Sequence, residues 1–460
     1  MKKIDNLTAL SSIPVSKAVI RNALPAIAAM LMVLIYNLAD TFFIGQTHDD
    51  FQVAAVSLAT PVFLIFMALG TVFGIGGTSV ISRSFGEGKT DYCKKVSAFC
   101  MWMGLVVGVA VSALFLIFMD DLLRIIGASA DTWEMTKRYL CIVTLCGPFV
   151  VVANCFSNII RAEGQAGKAM MGMLIGNMLN VILDPLMILV FGWEITGAAI
   201  ATVIGNVVGA AYYIIYFVRG KSVLSISIKD YSVRDGVAKN VLIIGVPAAL
   251  GSLLMSVSQM IMNSMMAGFG DMSVAAAGVS MKVTMMIGMV AIGLGQGVQP
   301  LLGYCVGAKN WSRYKSIMKF SVIFALALGV VMIGLCYIFT SQIVGAFLAL
   351  PSSFNSGVRF ARILQSTAFL FGVFYCFINA LQSMGAAMSS LIVNLSRQGL
   401  IYIPALFVMR TALGMPGLIW AQPIADILSF ILAVVLFAFS FRKISNSKTE
   451  VTARLTNHFK

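Results

Sequence analysis

The sequence predicts an all-α polytopic membrane protein: twelve transmembrane helices in two six-helix bundles, related by a pseudo-two-fold axis along the membrane normal. Three observations carry this. The chain of 460 residues is 59% apolar and only 11% charged, against roughly a quarter charged in a soluble domain. The apolar residues fall into twelve runs, each long enough to cross a bilayer that takes about 20 residues per helix. The two halves of the chain also repeat one another. A soluble fold of this size has no place to hide so much apolar surface. The composition therefore excludes an ordinary soluble enzyme, a disordered chain and a secreted disulfide scaffold.

Breaks rich in polar residues, glycine or proline delimit the runs. The expected spans are 23–46, 53–78, 96–119, 136–160, 169–191, 196–218, 241–268, 275–304, 317–341, 357–382, 388–410 and 416–441. The first run follows a polar stretch and is too long for the apolar core of a cleavable signal peptide. Charges fix the orientation. With the N-terminus and every second loop taken as one side, that side holds 24 Lys/Arg and the other six, namely Arg124, Lys137, Arg138, Arg359, Arg362 and Arg410. The positive-inside rule then puts both termini in the cytoplasm, in a multi-pass protein of the cell (inner) membrane. The net charge of +14 is explained by these loops, so no nucleic-acid partner is expected.

The repeat has a period near 221 residues. Gly74, Gly76 and Gly86 match Gly295, Gly297 and Gly307; Cys155, Phe156, Asn158 and Gly164 match Cys376, Phe377, Asn379 and Gly385. Six helices per half make the repeats parallel. The expected division is an N-terminal lobe over 1–220, a cytoplasmic linker over 221–239, a C-terminal lobe over 240–442 and a cytoplasmic tail over 443–460. Two similar bundles that rock about a central site suit alternating-access transport.

Ionisable residues inside spans cost about 2.5 to 3.5 kcal/mol each near a helix centre, so those present are functional candidates. They are Asp40, Asp184, Lys282, Arg397 and Asp426. Tyr36 and Asp40 are spaced i, i+4 and share a helix face. Asn177, Asn180 and Asp184 form one polar stripe, and Pro185 favours a kink beside the carboxyl. Thr202 and Asn206 make a shorter polar face on the sixth span. Desolvation and mutual repulsion disfavour two ionised carboxylates in one cavity. The pair therefore suits a proton, or, with the oxygens of Asn180 and Thr202, a small cation such as sodium. The second half lacks this pair, which places the coupling chemistry in the N-terminal lobe. Arg397, Asp426 and Lys282 read as an ion pair or as snorkelling residues. The amides Asn37, Asn154, Asn177, Asn206, Gln259 and Asn263 are candidates to line a substrate cavity. Eight cysteines without a CxxC pair and two distant histidines give no disulfide framework and no resident metal site. The glycine runs at 74–77 and 293–297 follow no strand and precede no Lys-Ser/Thr, so they read as helix packing and not as nucleotide loops. Neither an enzyme nor a cofactor is expected beyond a coupling ion, H+ or Na+.

Several of these stretches resemble one known family. Tyr36-Asn37-Leu38-Ala39-Asp40-Thr41-Phe42-Phe43-Ile44-Gly45 resembles the first-helix motif of multidrug and toxic compound extrusion (MATE) transporters. Asn180-Val181-Ile182-Leu183-Asp184-Pro185 resembles their fifth-helix motif, and Arg161-Ala162-Glu163-Gly164 the turn after their fourth helix. Ser396-Arg397-Gln398 and Pro423-Ile424-Ala425-Asp426 resemble late-helix patterns. The similarity spans residues 15 to 442. It implies a two-lobe exporter of amphipathic or cationic organic compounds, an antiporter driven by inward flow of protons or sodium. By resemblance, Asp40, Asn180, Asp184 and Thr202 match the N-lobe cation site, with Tyr36 and Tyr139 as neighbours. Where some members carry acidic residues in the C-lobe, Gln259, Asn263 and Asn379 stand here. The implied partners are small organic substrates and the lipid bilayer, with a single chain as the working unit. Two other readings are a lipid-linked saccharide flippase of the same superfamily, for which only Lys282 and Arg397 offer buried positive charge, and a non-transporting membrane receptor or assembly factor.

Overall fold

A computed structural model describes residues 10–47, 49–220, 222–345 and 351–458. Lys2, Lys3, His48, Lys221 and Lys460 of the charge and histidine readings lie outside the described residues. Twelve spans cross in order: α1 Val15–Gly45, α2 Asp50–Gly86, α3 Thr90–Ile117, α4 Trp133–Ala162, α5 Ala166–Pro185, α6 Glu194–Val218, α7 Val237–Ala267, α8 Asp271–Gly307, α9 Trp311–Gly345, α10 in two segments (Pro351–Gln365 and Phe369–Met384), α11 Ala387–Leu413 and α12 Met415–His458. No strand occurs among the described residues. The helices run past the apolar runs at both ends because their polar end turns continue the backbone hydrogen-bond ladder beyond the hydrocarbon. Asp49 starts α2 by accepting a hydrogen bond from the Phe51 amide, 2.9 Å, which satisfies one of the open donors of the first turn.

The sequence expectation differs in detail at three spans. The tenth is not one helix, since its two segments are bent by 44° at Ser366–Ala368. The first segment has the apolar residues on one face only and is too polar to span alone. The eleventh is interrupted by a π-helical turn at Ser396–Leu400. The fifth continues past Pro185 into a π-helical turn, Leu186–Val190. Pro185 has no amide hydrogen to give, and the wider turn is the local adjustment that follows it.

The repeat is visible in the turns. Gly164 and Gly385, 221 residues apart, both take left-handed backbone angles (φ +80° and +73°), the conformation that a side chain disfavours. Gly88 and Lys309, at the same offset, share a positive φ too.

The two lobes are cross-braced at the end that carries the termini and most of the Lys/Arg, here called the basic end. The first half of α1, with Ala18, Val19, Ala23 and Ile27, is buried in the C-lobe core beside Val290, Leu294 and Val298 of α8. In the symmetry-related place, Val237 and Val241 of α7 are buried in the N-lobe core. Glycines allow the approach. A Cβ on Gly76 of α2 would sit 2.2 Å from the Val241 carbonyl oxygen, and one on Gly297 of α8 would sit 2.6 Å from the Ala23 Cα. Ser79 donates to the Gln382 carbonyl and Arg161 to the Gln296 side chain, both across the lobe boundary. Arg161, counted among loop charges from the sequence, is thus a buried inter-lobe contact. At the opposite end the apolar clusters no longer mix. Met262, Met265 and Met266 of α7 pack only against C-lobe residues, and the second half of α1 packs on α5. The lobes therefore close at the basic end and part at the other.

The segment between the lobes is tied to the N-lobe. Glu163, fully buried, accepts from Tyr216, from Ser222 (2.7 Å) and from the Val223 amide (3.2 Å). Burial pushes its carboxyl above the ordinary range, and those three bonds offset part of the effect. Trp102 donates to the Ile226 carbonyl (3.1 Å), and Lys95 pairs with Asp235 (2.8 Å).

Candidate functional site

The second half of α1, the end of α5, the middle of α6 and the start of α4 enclose a polar cluster within the N-lobe. Asp40 and Tyr36 come from α1, Asn180 and Asp184 from α5, Thr202 from α6 and Tyr139 from α4. Asp184 has no exposed surface, and Asn180 and Thr202 are buried beside it. Asn180 Nδ2 donates to Thr202 Oγ1 at 3.4 Å. The Tyr36 and Tyr139 hydroxyls both interact with the Thr202 side chain and lie within electrostatic reach of Asp40 and Asp184. Close packing of small residues sets this arrangement. Gly176 of α5 and Gly205 of α6 meet backbone to backbone, and a Cβ on either would approach the other's carbonyl within 2.7 Å. That contact draws Asn180 and Thr202 together.

Both oxygens of Asp184, one of Asp40 and the side-chain oxygen of Asn180 are buried without a hydrogen-bond partner among the described residues. Buried polar atoms are seldom left so, because each forgoes about 1–3 kcal/mol. The open positions are all oxygens, carboxylate or carboxamide, the donor set that a proton or a hard monovalent cation takes. No group of three or more His, Cys, Asp or Glu able to hold a metal ion occurs among the described residues.

The six coupling candidates are thus brought together, while the candidate cavity amides are dispersed. Asn154 donates to the Met67 carbonyl (2.7 Å) and to Thr71 (3.2 Å). It lines a cavity of about 170 Å³ where the two lobes meet. Asn177 is half-buried on α5, with its amide nitrogen unpartnered among the described residues. Asn206 folds back on the Thr202 carbonyl, 2.9 Å. Gln259 meets the Met281 sulfur, and Asn37 and Asn263 are exposed on α1 and α7. The inter-lobe cavity carries amides that sequence reading did not assign to it: Asn158, Gln296, Asn379, Gln382, Asn394 and Gln398. The one available signal was the symmetric pair Asn158 and Asn379, each packed on the symmetric glycine Gly74 or Gly295.

Arg397 and Asp426 form a buried ion pair, 2.7 Å. Gln422 (3.0 Å) and Thr367 (3.1 Å) also donate to the carboxylate, and the guanidinium lies 4.2 Å from the Phe371 ring centre. The carboxylate is thus held by three donors, and the guanidinium also borders the inter-lobe cavity. Removing one partner of such a pair costs about 3–5 kcal/mol. Asp426→Asn should therefore lower the melting temperature of the detergent-solubilised protein, and Arg397→Met combined with Asp426→Leu should recover part of the loss. An unchanged melting temperature in the single variant would contradict this.

Fold and site define a two-lobe polytopic membrane protein of the transporter class, with a carboxylate pair, Asp184 buried and Asp40 half-buried, in the N-lobe. The MatE family model matches residues 25–186 and 247–408, one match per lobe. The chain belongs to the multidrug and toxic compound extrusion family. It is 32% identical to the multidrug export protein MepA of Staphylococcus aureus over 423 residues, covering 92% of this chain and 93% of that protein. A crystal structure of MATE in complex with MaL6 aligns with a TM-score of 0.90 at 25% identity, over 96% of this chain and 99% of that one. The outward-facing conformation of a multidrug resistance MATE transporter of the MOP superfamily shares the fold, with a TM-score of 0.90 at 24% identity over 98% and 99% of the two chains.

Proposed function

We propose that the chain is a secondary antiporter that exports amphipathic, often cationic organic compounds, driven by inward flow of protons or sodium and coupled at Asp40 and Asp184. The observation that carries this is the fully buried Asp184 with both oxygens unpartnered beside Asp40. A carboxylate kept so in an apolar lobe is costly unless a cation occupies it for part of a cycle. The chain's likeness to the staphylococcal multidrug export protein supports the direction and the substrate class. With the basic end in the cytoplasm of a cell-membrane protein, closure there and separation at the other end make this the outward-open state. A single chain supplies both lobes, and neither nucleic acid nor a cofactor other than the coupling ion enters the scheme.

Coupling must beat the membrane potential. Expelling a monovalent cation against 100 mV costs about 2.3 kcal/mol, so more than one inward proton per cation gives a net electrical gain. The test is flux in reconstituted proteoliposomes. A proton or sodium gradient imposed with the higher concentration in the lumen, so that the ion flows out, should drive uptake of a fluorescent organic cation into inverted vesicles. Replacement of the effective ion by potassium or N-methylglucamine should abolish it. Transport that ignores both gradients would refute the antiport.

A further inference from the structure

A groove of about 610 Å³ opens at the end opposite the basic end, between α9, the first segment of α10 and the start of α12. Its floor follows from the two-faced pattern of Pro351–Gln365. Gly357, Phe360, Ala361 and Leu364 are buried toward α8. Asn355, Arg359, Arg362 and Ser366, spaced four, three and four residues apart, share the opposite face and are exposed. Tyr337 of α9 and Trp420 of α12 form the walls. Beyond them both helices present apolar side chains outward, among them Ile338 (67% exposed) and Leu428 (48%). That is the surface of a helix facing lipid. Tyr337 lies four residues inside the end of the apolar run 317–341, about 6 Å at 1.5 Å per residue. The arginine floor thus borders a lipid-facing wall near its outer edge.

The charge here is uncompensated. Three of the six Lys/Arg at this end have acidic partners: Lys137 with Asp120 (2.7 Å), Arg138 with Glu134 (3.2 Å) and Arg124 with Asp121 (3.8 Å). Arg359 and Arg362 have none among the described residues, and no acid lines the groove. Arg362 is held over the Tyr337 ring, 4.8 Å from its centre, which orders the guanidinium without neutralising it. Two guanidinium groups at neighbouring positions on one face offer forked donors matched to phosphate oxygens. Ser341 adds a hydroxyl to the lining, while the Ser366 hydroxyl already donates to the Ile363 carbonyl (2.6 Å), and the apolar walls suit acyl chains.

We propose that this groove binds the phosphate of an anionic glycerophospholipid from the leaflet opposite the basic end, with Arg359 and Arg362 as the phosphate ligands. The shared chemistry is a phosphate oxyanion, and the experiment separates a lipid source from a soluble one. The full-length protein in neutral detergent is titrated with phosphatidylglycerol, phosphatidylcholine or inorganic phosphate, and binding is read by native mass spectrometry and by melting temperature. Phosphatidylglycerol should give a retained adduct and raise the melting temperature, since a ligand that binds only the native state stabilises it. Phosphatidylcholine should bind at least tenfold more weakly, and equimolar inorganic phosphate should not displace the adduct. Arg359→Gln with Arg362→Gln should lose phosphatidylglycerol affinity tenfold or more. Both side chains are exposed, so the variant's lipid-free melting temperature should stay unchanged. Arg124→Gln, at the same end, should bind as the natural protein does. Equal affinity in the double variant and the natural protein would overturn the site, as would arginines that merely reach water and show no lipid preference. Full displacement by inorganic phosphate would overturn the lipid as occupant.

Discussion

Asp184→Asn should leave a folded protein that binds organic cations and no longer couples their movement to an ion gradient. The substitution removes the charge and keeps the shape, so packing against Asn180 and Thr202 persists. The residue has no exposed surface and neither oxygen has a partner among the described residues. The carboxamide therefore breaks no hydrogen bond, and the melting temperature should hold or rise, because a charge buried without a partner is itself destabilising. The coupled rate should behave differently. Losing a site whose charged form costs about 2.5 to 3.5 kcal/mol to bury removes a comparable driving term, and each 1.4 kcal/mol is a factor of ten. Gradient-driven uptake in inverted vesicles should fall by about two orders of magnitude. Asp40→Asn should give a smaller defect, since Asp40 is half-buried and only one of its oxygens is enclosed. An Asp184→Asn protein with undiminished ion-driven transport would remove the N-lobe carboxylates from the coupling scheme.

Spans were legible because burial in lipid needs long apolar runs and little else. The carboxylate cluster was legible for a related reason. An acid amid apolar residues stands out, and the spacing of Asn177, Asn180 and Asp184 is by itself enough to put the stripe on one helix face. The bend at Ser366–Ala368 and the π-helical turn at Ser396–Leu400 were not legible. Both arise where a helix must bring polar groups to tertiary partners: Thr367 to Asp426, and Arg397 to the same carboxylate. Nothing in the local apolar pattern records a partner on another helix. The inter-lobe cavity was hidden for the same reason. Its amides come from α4, α8, α10 and α11 and are unremarkable one by one. The glycine runs were legible as helix packing, but the sequence does not say which lobe they pack against. Gly76, Gly293 and Gly297 meet helices from the opposite half of the chain, and this decides which end is closed.

Gly76→Val and Gly297→Val should each trap the protein away from the state described here. Gly76 lies against the Val241 carbonyl and Gly297 against Asn22 and Ala23, so each new Cβ would fall between 2.2 and 2.7 Å of backbone that belongs to a helix braced on the other lobe. Such distances cannot be relieved by turning a side chain. The helices must separate, and the cheapest separation is opening of the basic end. In an open state the same valine would face a widened cleft and cost little. The substitution thus differs in free energy between two conformations and shifts their ratio by that difference. Even 2.8 kcal/mol, a modest overlap, is about a hundredfold, enough to invert a balance that favours closure tenfold. Ser79 and Gln382, joined across the lobes by a hydrogen bond, provide the reporter. A Ser79→Cys, Gln382→Cys pair should cross-link readily in the otherwise natural protein and tenfold more slowly once Gly76→Val or Gly297→Val is added. Gly45→Val is the control, because nothing lies within 4 Å of a Cβ there, and its cross-linking rate should not change. Transport should fall with cross-linking in both inter-lobe variants, since a carrier that cannot close one end cannot complete a cycle. If cross-linking were unaffected, the glycine contacts would not govern closure, and the packing between α2 and α7 and between α1 and α8 would have to yield without opening the lobes.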